Sequence, residues 1–208
     1  MKEIIINHPL INHKMVLLRD ERTKTKEFRE LTNEISMLLT YEAMKGVKTK
    51  KVKVTTPMGE TTGEIINENN FAFIPILRAG IGMVDGVLRI LPNAKVGHIG
   101  IYRNEETLEA VPYYFKVPSD IEKRTVFVLD PMLATGGSAV QAIAELKLKG
   151  IKKIVFLCIV AVPEGVKKVK EEHPDVQIYM AALDSHLNEI GYIVPGLGDA
   201  GDRIFGTC

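Results

Sequence analysis

The chain has 208 residues, 46% of them hydrophobic and 25% charged, a composition typical of one globular domain over residues 1–208. Its 27 basic and 26 acidic residues leave a net charge of +1, which argues against nucleic acid or an anionic membrane as partner. Two cysteines are too few for a disulfide framework, and no apolar stretch is long enough to cross a membrane, so we expect a cytoplasmic protein.

The first predicted elements are a helix and a two-stranded ribbon. Thr25 is a candidate N-cap for a helix over residues 26–45, where apolar side chains recur on one face before Gly46. Residues 51–55 alternate polar and apolar side chains, and a Pro-Met-Gly turn leads to a second strand over residues 63–66. We expect this ribbon to stand apart from the main sheet.

Beyond the ribbon, strands alternate with helices. Most of the β-rich runs are continuously apolar, as in strands covered on both faces; they span residues 71–77, 96–102, 125–129, 153–162 and 176–181. Helical segments lie between several of them, over residues 83–91, 138–149 and 163–172. This alternation predicts an α/β fold with a mostly parallel central sheet flanked by helices. Ligands of such sheets bind beyond the carboxyl ends of the strands.

A loop rich in glycine and hydroxyl groups follows the third of these strands. The strand delivers Asp130 to its end, and Thr135, Gly136, Gly137 and Ser138 precede the next helix. Converging backbone N–H groups, hydroxyl groups and a helix N-terminus suit a phosphate monoester, whereas Asp130 is better suited to accept hydrogen bonds from sugar hydroxyls. No P-loop lysine is present. An ordinary strand–loop–helix turn with Ser138 as N-cap is the alternative.

The segment Asp-Pro-Met-Leu-Ala-Thr-Gly-Gly-Ser resembles the phosphoribosyl diphosphate loop of the type I phosphoribosyltransferases. The general family pattern has two adjacent acidic residues, and a proline in place of the second resembles the uracil-specific branch. The resemblance implies an enzyme that transfers a phosphoribosyl group from phosphoribosyl diphosphate to uracil, releasing UMP and diphosphate. It also implies Mg²⁺ held mainly by the substrate diphosphate, without a protein metal site. The loop residues that it assigns to phosphoribosyl diphosphate are Asp130, Pro131, Met132, Leu133, Ala134, Thr135, Gly136, Gly137 and Ser138.

Two arginines follow other predicted strands. Arg78 leaves a buried strand beside small residues, where a guanidinium can bind diphosphate oxygens bidentately; a surface ion pair is the alternative. Residues 101–107 alone indicate a solvated hairpin. The resemblance assigns Arg78 to a diphosphate-binding loop and places Arg103 in a mobile active-site hood, reaching the diphosphate. With Asp130, these arginines are the candidate catalytic residues.

Four glycines lie among residues 191–203. The segment matches a dinucleotide-binding fingerprint literally, but we expect no helix or strand after it to complete that unit. Backbone groups beside glycines can meet the donor and acceptor edge of a small heterocycle; a loose loop is the alternative. The resemblance implies a uracil pocket formed by Ile193, Gly198, Asp199 and Ala200. It also implies that Asp199 contacts phosphoribosyl diphosphate.

Rival functions have weaker support in the sequence. Asp184, Ser185 and His186 contain the residue types of a hydrolytic triad, but consecutive residues do not easily form its relay. The nearest rival is a phosphoribosyltransferase for a purine or orotate, disfavoured because the C-terminal loop has no evident aromatic platform or lysine. A rival of a different class is a regulatory protein of the same fold that binds nucleotides and RNA, and the near-neutral charge weighs against it. The resemblance further implies a homodimer or larger homo-oligomer, with GTP as a candidate effector.

Overall fold

A large, mostly parallel sheet organises the protein. The computed structural model describes residues 3–103 and 110–207. Within these residues the strands and helices, in chain order, are β1 (Glu3–Ile5), α1 (Pro9–Arg19), α2 (Thr25–Ala43), β2 (Lys50–Thr56), β3 (Gly59–Ile65), β4 (Phe71–Leu77), α3 (Val84–Ile90), β5 (Lys95–Val96), β6 (His98–Arg103), β7 (Ala110–Lys116), β8 (Thr125–Leu129), β9 (Met132–Leu133), α4 (Gly137–Leu148), β10 (Lys153–Ala161), α5 (Pro163–Glu172), β11 (Gln177–Leu183), β12 (His186–Leu187), β13 (Ile193–Val194) and α6 (Ala200–Phe205).

The strand order of the main sheet is β1-β11-β10-β8-β4-β6-β7, with β5 beside β4 and β9 beside β10. Within this sheet the described pairings are parallel except that of β6 with β7. One face packs against α1, α2, α3 and α6, and the other against α4 and α5. The predicted α/β fold with helices on both faces is therefore confirmed, and β2 and β3 form the separate ribbon.

The central strands are apolar throughout because each face supplies one of two cores. In β4, Phe73 enters the core on the α2 side and Ile74 the core on the α4 side. In β8, Phe127 and Val128 divide in the same way, and the rings of Phe73 and Phe127 lie 5.4 Å apart. Successive side chains of a strand point to opposite faces, so a strand buried on both faces has no position for polar chemistry except its ends.

Across residues 3–103 and 110–207, no helix is both long enough and apolar enough to cross a bilayer.

Most predicted boundaries agree with the structure within a residue or two, and three agree fully: β4, β8 and α5. The predicted cap of α2 is wrong, because Thr25 is the first helical residue and Lys24, at the N-cap, makes no side-chain capping hydrogen bond. The strand predicted over residues 96–102 is interrupted at Gly97, whose N–H donates to the carbonyl of Phe73. Side-chain periodicity does not report such a backbone interruption.

Several elements were not predicted, among them α1 and α6. The N-cap of α1 is His8, whose Nδ1 accepts from the N–H of Leu10 at 3.2 Å. The expectation that no helix follows the C-terminal glycines is wrong, because Asp199 caps α6. No strand follows α6 in the described part of the chain, so the dinucleotide-binding unit is still incomplete.

Helix α3, which follows the Arg78 loop, is anchored on α2 by a close backbone approach. The N–H of Gly86 donates to Oδ1 of Asn33 at 3.0 Å. A Cβ at Gly86 would overlap the backbone carbonyl of Asn33. Only glycine therefore allows the two helices to approach this closely.

We expect Gly86→Ala to lower the free energy of unfolding by roughly 1–3 kcal/mol, the scale of overpacking a tight contact. The measurement is urea denaturation of the variant and the wild type. Gly63→Ala is the matched control, because no atom lies within 4 Å of the added methyl group. Equal denaturation midpoints for Gly86→Ala and the wild type would contradict this account of the helix contact.

Candidate active site

Asp130 lies directly after β8, at the carboxyl end of the sheet. Its backbone N–H donates to the carbonyl of Leu157 at 3.2 Å, and its Oδ1 accepts from the N–H of Met132 at 3.2 Å. Burial raises the pKa of Asp130 to about 7, and the hydrogen bond from Met132 lowers it only in part. The ionised form of the carboxyl group is therefore disfavoured relative to that of an exposed aspartate.

The next residues fasten the loop to the sheet. The carbonyl of Pro131 accepts from the N–H groups of Ile159 and Val160, both at 3.0 Å, and β9 pairs with β10. Pro131 and Leu133 are buried, so their side chains face the protein interior, not a ligand. The start of α5 packs against Ala134, whose carbonyl a Cβ at position 165 would overlap. This half of the loop is rigidly supported.

The second half of the loop forms a small cavity. Gly136 is the N-cap of α4 with a φ of 79°, so Ser138 is not the N-cap that the alternative interpretation assigned to it. No hydrogen bond among the described residues engages the hydroxyl groups of Thr135 or Ser138. A cavity of about 80 Å³ is lined by Asp130 and residues 132–139. That volume, equal to a few water molecules, suits one phosphate group and not a whole nucleotide.

Arg78 follows β4, which neighbours β8 in the sheet. Its side chain is 60% exposed, and Nη2 lies 3.3 Å from Oδ1 of Asp202. The hydroxyl of Thr207 and the guanidinium of Arg78 hold the pKa of Asp202 below its ordinary value. Arg78 thus forms the ion pair that was the alternative interpretation, in a position beside the end of the strand that carries Asp130.

For Arg103, the other predicted arginine, the structure describes only the backbone. Arg103 is the last residue of β6, which pairs with β4. Its side chain and residues 104–109, which include most of the predicted hood, lie outside the described part of the structure. The predicted contact of Arg103 with diphosphate stays a prediction.

The C-terminal segment lies beside both preceding loops. Ile193 is buried in β13, Ala200 is buried at the start of α6, and Gly198 and Asp199 between them are exposed. Oδ1 of Asp199 accepts from the N–H of Asp202, the partner of Arg78, at 2.8 Å. A Cβ at position 191 would lie 3.9 Å from Cγ2 of Thr135 in the phosphate loop. The fold thus brings together the three segments that the sequence singles out.

The carboxylates of this site suit a metal ion that arrives with a substrate. Residues 3–103 and 110–207 contain no group of three or more His, Cys, Asp or Glu side chains that could hold a metal ion. The phosphate loop offers a single carboxyl group, that of Asp130. Mg²⁺ commonly takes most of its ligands from substrate phosphates and water, and such an ion fits this site.

Sequence reasoning missed the charges beneath the C-terminal segment. Asp184 bonds to Arg19 and to the N–H of Gly196, while Ser185 Oγ lies 2.7 Å from Nδ1 of His186. The carboxylate is therefore committed to Arg19, not to His186 as a hydrolytic relay requires. Its position three residues after the strand predicted over residues 176–181 was the available signal, because ligand sites of parallel sheets lie at that end.

Comparison with known proteins identifies the family. The profile of the family described as uracil phosphoribosyltransferase matches residues 5–207. A uracil phosphoribosyltransferase of Dictyoglomus turgidum is 58% identical over 98% of this chain and 99% of its own length. One of Streptococcus pyogenes is 59% identical over 98% and 97% of the two chains. A solved Aquifex aeolicus protein superimposes with a TM-score of 0.93 at 40% identity, over 98% and 97%. The chain belongs to the uracil phosphoribosyltransferase family.

Proposed function

We propose that the protein transfers the phosphoribosyl group of 5-phospho-α-D-ribose 1-diphosphate to N1 of uracil, giving UMP and diphosphate in pyrimidine salvage. The observation that carries this proposal is the extent of the family match, residues 5–207, which includes all three candidate loops. Relatives that are 58% and 59% identical to this chain are named uracil phosphoribosyltransferases. In the reaction the bond from C1 of ribose to diphosphate breaks, the bond to N1 of uracil forms, and N1 loses its proton.

The 5′-phosphate is assigned to the loop from Asp130 to Ser138. The cavity there is the size of a phosphate, and the free hydroxyl groups of Thr135 and Ser138 supply donors. The N-terminus of α4, capped by Gly136, contributes partial positive charge. The buried residues of the loop hold this backbone in place and do not contact the substrate with their side chains.

Asp130 is assigned to the ribose hydroxyl groups. Its carboxyl group has one hydrogen-bond donor, the N–H of Met132, among the described residues. Desolvation disfavours the ionised form of Asp130, and hydrogen bonds from substrate hydroxyl groups would replace the lost hydrogen bonds from water. A partly buried carboxylate with spare acceptor capacity is suited to hold a sugar in a fixed orientation.

Arg78 and Arg103 are assigned to the leaving diphosphate. Positive charge beside the leaving group counts most as its negative charge develops, and a guanidinium binds phosphate oxygens bidentately. Exchange of Asp202 for diphosphate would cost Arg78 little, because its 3.3 Å ion pair is exposed. Mg²⁺, bound through the diphosphate itself, would neutralise further charge on the leaving group.

Uracil is assigned to Ile193, Gly198, Asp199 and Ala200. Exposed backbone at Gly198 and Asp199 can meet the alternating donors and acceptors of the base, and buried Ile193 and Ala200 hold that backbone against the core. The hydrogen bond from Asp202, the partner of Arg78, to Asp199 supports assigning Asp199 to phosphoribosyl diphosphate as well.

The resemblance supports three further parts of this proposal. We propose that the enzyme works in the cytoplasm as a homodimer or larger homo-oligomer, and that GTP acts as an effector. No part of the reaction scheme above depends on the assembly or on GTP.

The reaction is tested by diphosphate release with phosphoribosyl diphosphate and Mg²⁺, offering uracil, hypoxanthine, adenine and orotate separately. We expect release, together with UMP formation, with uracil alone. Release with another base would overturn the assignment of residues 193–200 and keep that of the phosphate loop. No release with any base, while phosphoribosyl diphosphate still binds, would favour the regulatory function.

For Arg78, we expect Arg78→Ala to lower turnover by roughly 10²–10³, the scale of removing one preorganised group that stabilises developing charge. The measurement is steady-state UMP formation at saturating substrates. Arg89→Ala is the control, because Arg89 is an exposed arginine at the far end of α3. An unchanged rate for Arg78→Ala would remove Arg78 from the reaction.

For Asp130, we expect the affinity for phosphoribosyl diphosphate to rise with pH up to about 7, the pKa of the free carboxyl group, and then to level off. Bound hydroxyl donors favour the ionised form and lower its pKa, so binding releases a proton below that pH. Asp130→Asn should bind more weakly and lose this component, retaining only the titration of the substrate phosphates. Calorimetric titration from pH 5.5 to 8 measures both; identical pH profiles would refute the assignment.

A further inference from the structure

A buried ion pair lies directly beneath the C-terminal segment. Arg19, the last residue of α1, donates from Nη1 and Nη2 to the two carboxylate oxygens of Asp184 at 2.7 and 2.6 Å. The Asp184 side chain is only 5% exposed. The pair is bidentate, the arrangement that best fixes the relative orientation of the two groups. It joins the N-terminal helix to the loop after β11, 165 residues away in sequence.

Both members of the pair also hold one peptide unit of the C-terminal segment. Nη1 of Arg19 donates to the carbonyl of Gly196 at 2.6 Å, and the N–H of Gly196 donates to Oδ2 of Asp184 at 2.8 Å. Gly196 has a φ of 63°, and a Cβ there would overlap the carbonyl of Ile193. The backbone of Gly196 is therefore locked in a turn that other residues cannot adopt without strain.

Neighbouring backbone groups are held in the same way. The carbonyl of Val194 accepts from the N–H and hydroxyl of Ser185 at 3.1 and 2.9 Å. The carbonyl of Leu197 accepts from Arg203 at 2.8 Å. Gly198, the next residue, is exposed, and no hydrogen bond within residues 3–103 and 110–207 engages its N–H or C=O. The segment is thus clamped up to the residue where backbone groups become free for a ligand.

We propose that Arg19 and Asp184 are positioning residues for the nucleobase, which fix Gly196 so that the free backbone at Gly198 presents its donor and acceptor to uracil. This inference rests on the proposed function. The pair itself lies under the segment and need not touch the base. Its effect is geometric, because hydrogen bonds to a small planar ring tolerate little displacement, and errors of about 1 Å can cost roughly 10²-fold in rate.

If the Arg19–Asp184 pair positions the nucleobase, its loss changes KM for uracil selectively, which a purely stabilising pair would not do. Asp184→Asn removes the charge but keeps the shape, and Arg19→Lys keeps the charge but loses the bidentate geometry. For both variants we expect KM for uracil to rise about tenfold or more, with KM for phosphoribosyl diphosphate changed less than about twofold. In the double variant the rise should be no larger than in the more affected single variant, because both changes break one unit.

A second ion pair provides a matched control. Arg124 is 6% exposed, lies 2.6 Å from Asp120, and donates to the backbone carbonyls of Asn69 and Phe71. It therefore combines an ion pair with held carbonyls, as Arg19 does, but beside the amino ends of β4 and β8, and its carboxylate partner is 37% exposed. Asp120→Asn should lower the melting temperature, as Asp184→Asn does, and leave both KM values unchanged.

The outcomes separate this inference from the proposed function. If the wild type forms no UMP from uracil, the proposed function fails before any variant is compared. If it does form UMP, equal increases in both KM values, or an unchanged KM for uracil in folded Asp184→Asn, overturn the positioning role. Should Asp184→Asn fail to fold, Arg19→Lys decides alone by the same comparison of the two KM values.

Discussion

Burial of the central strands on both faces is the constraint on which the rest of the structure depends. The strands β10, β8 and β4 place apolar side chains alternately in two cores, so their backbone groups are satisfied within the sheet and their side chains carry no chemistry. Polar groups are confined to the strand ends. Because parallel strands end at the same edge, the residues after β4, β8 and β11 converge there: Arg78, Asp130 and Asp184.

The charges at this edge differ in how they are compensated. Asp184 is bonded to Arg19, and Arg78 is paired with Asp202, whereas Asp130 has no cationic partner within the described residues. Desolvation, only partly offset by the hydrogen bond from Met132, raises the pKa of Asp130 to about 7. A desolvated carboxyl group without a cationic partner destabilises the ionised protein, so its presence is easier to explain if a ligand supplies further donors. That argument supports the proposed ribose contact independently of any resemblance.

The sequence predicts those parts of the fold whose signal is local. Continuous apolar runs located β4 and β8 to the residue, and a proline at the first turn located α5. Helix α1 carries a comparable signal, with buried Ile11, Met15 and Leu18 at helical spacing after Pro9, but was not predicted. Helix α6 has six residues, too few for periodicity to indicate. The bond between Arg19 and Asp184 spans 165 residues, and a single sequence contains no information on such contacts.

A glycine in a sequence motif can serve either ligand binding or close backbone packing, and only the structure distinguishes the two. From sequence alone, the glycines of residues 191–203 are candidates for points where the backbone meets a ligand. Gly196 instead meets backbone, because a Cβ there would overlap the carbonyl of Ile193. Gly80 and Gly165 behave in the same way against the carbonyls of Leu129 and Ala134. Gly198, exposed and with a φ of 80°, is the residue for which the ligand interpretation keeps its physical basis, and the tightly held Gly196 two residues before it gives that exposed backbone a defined position.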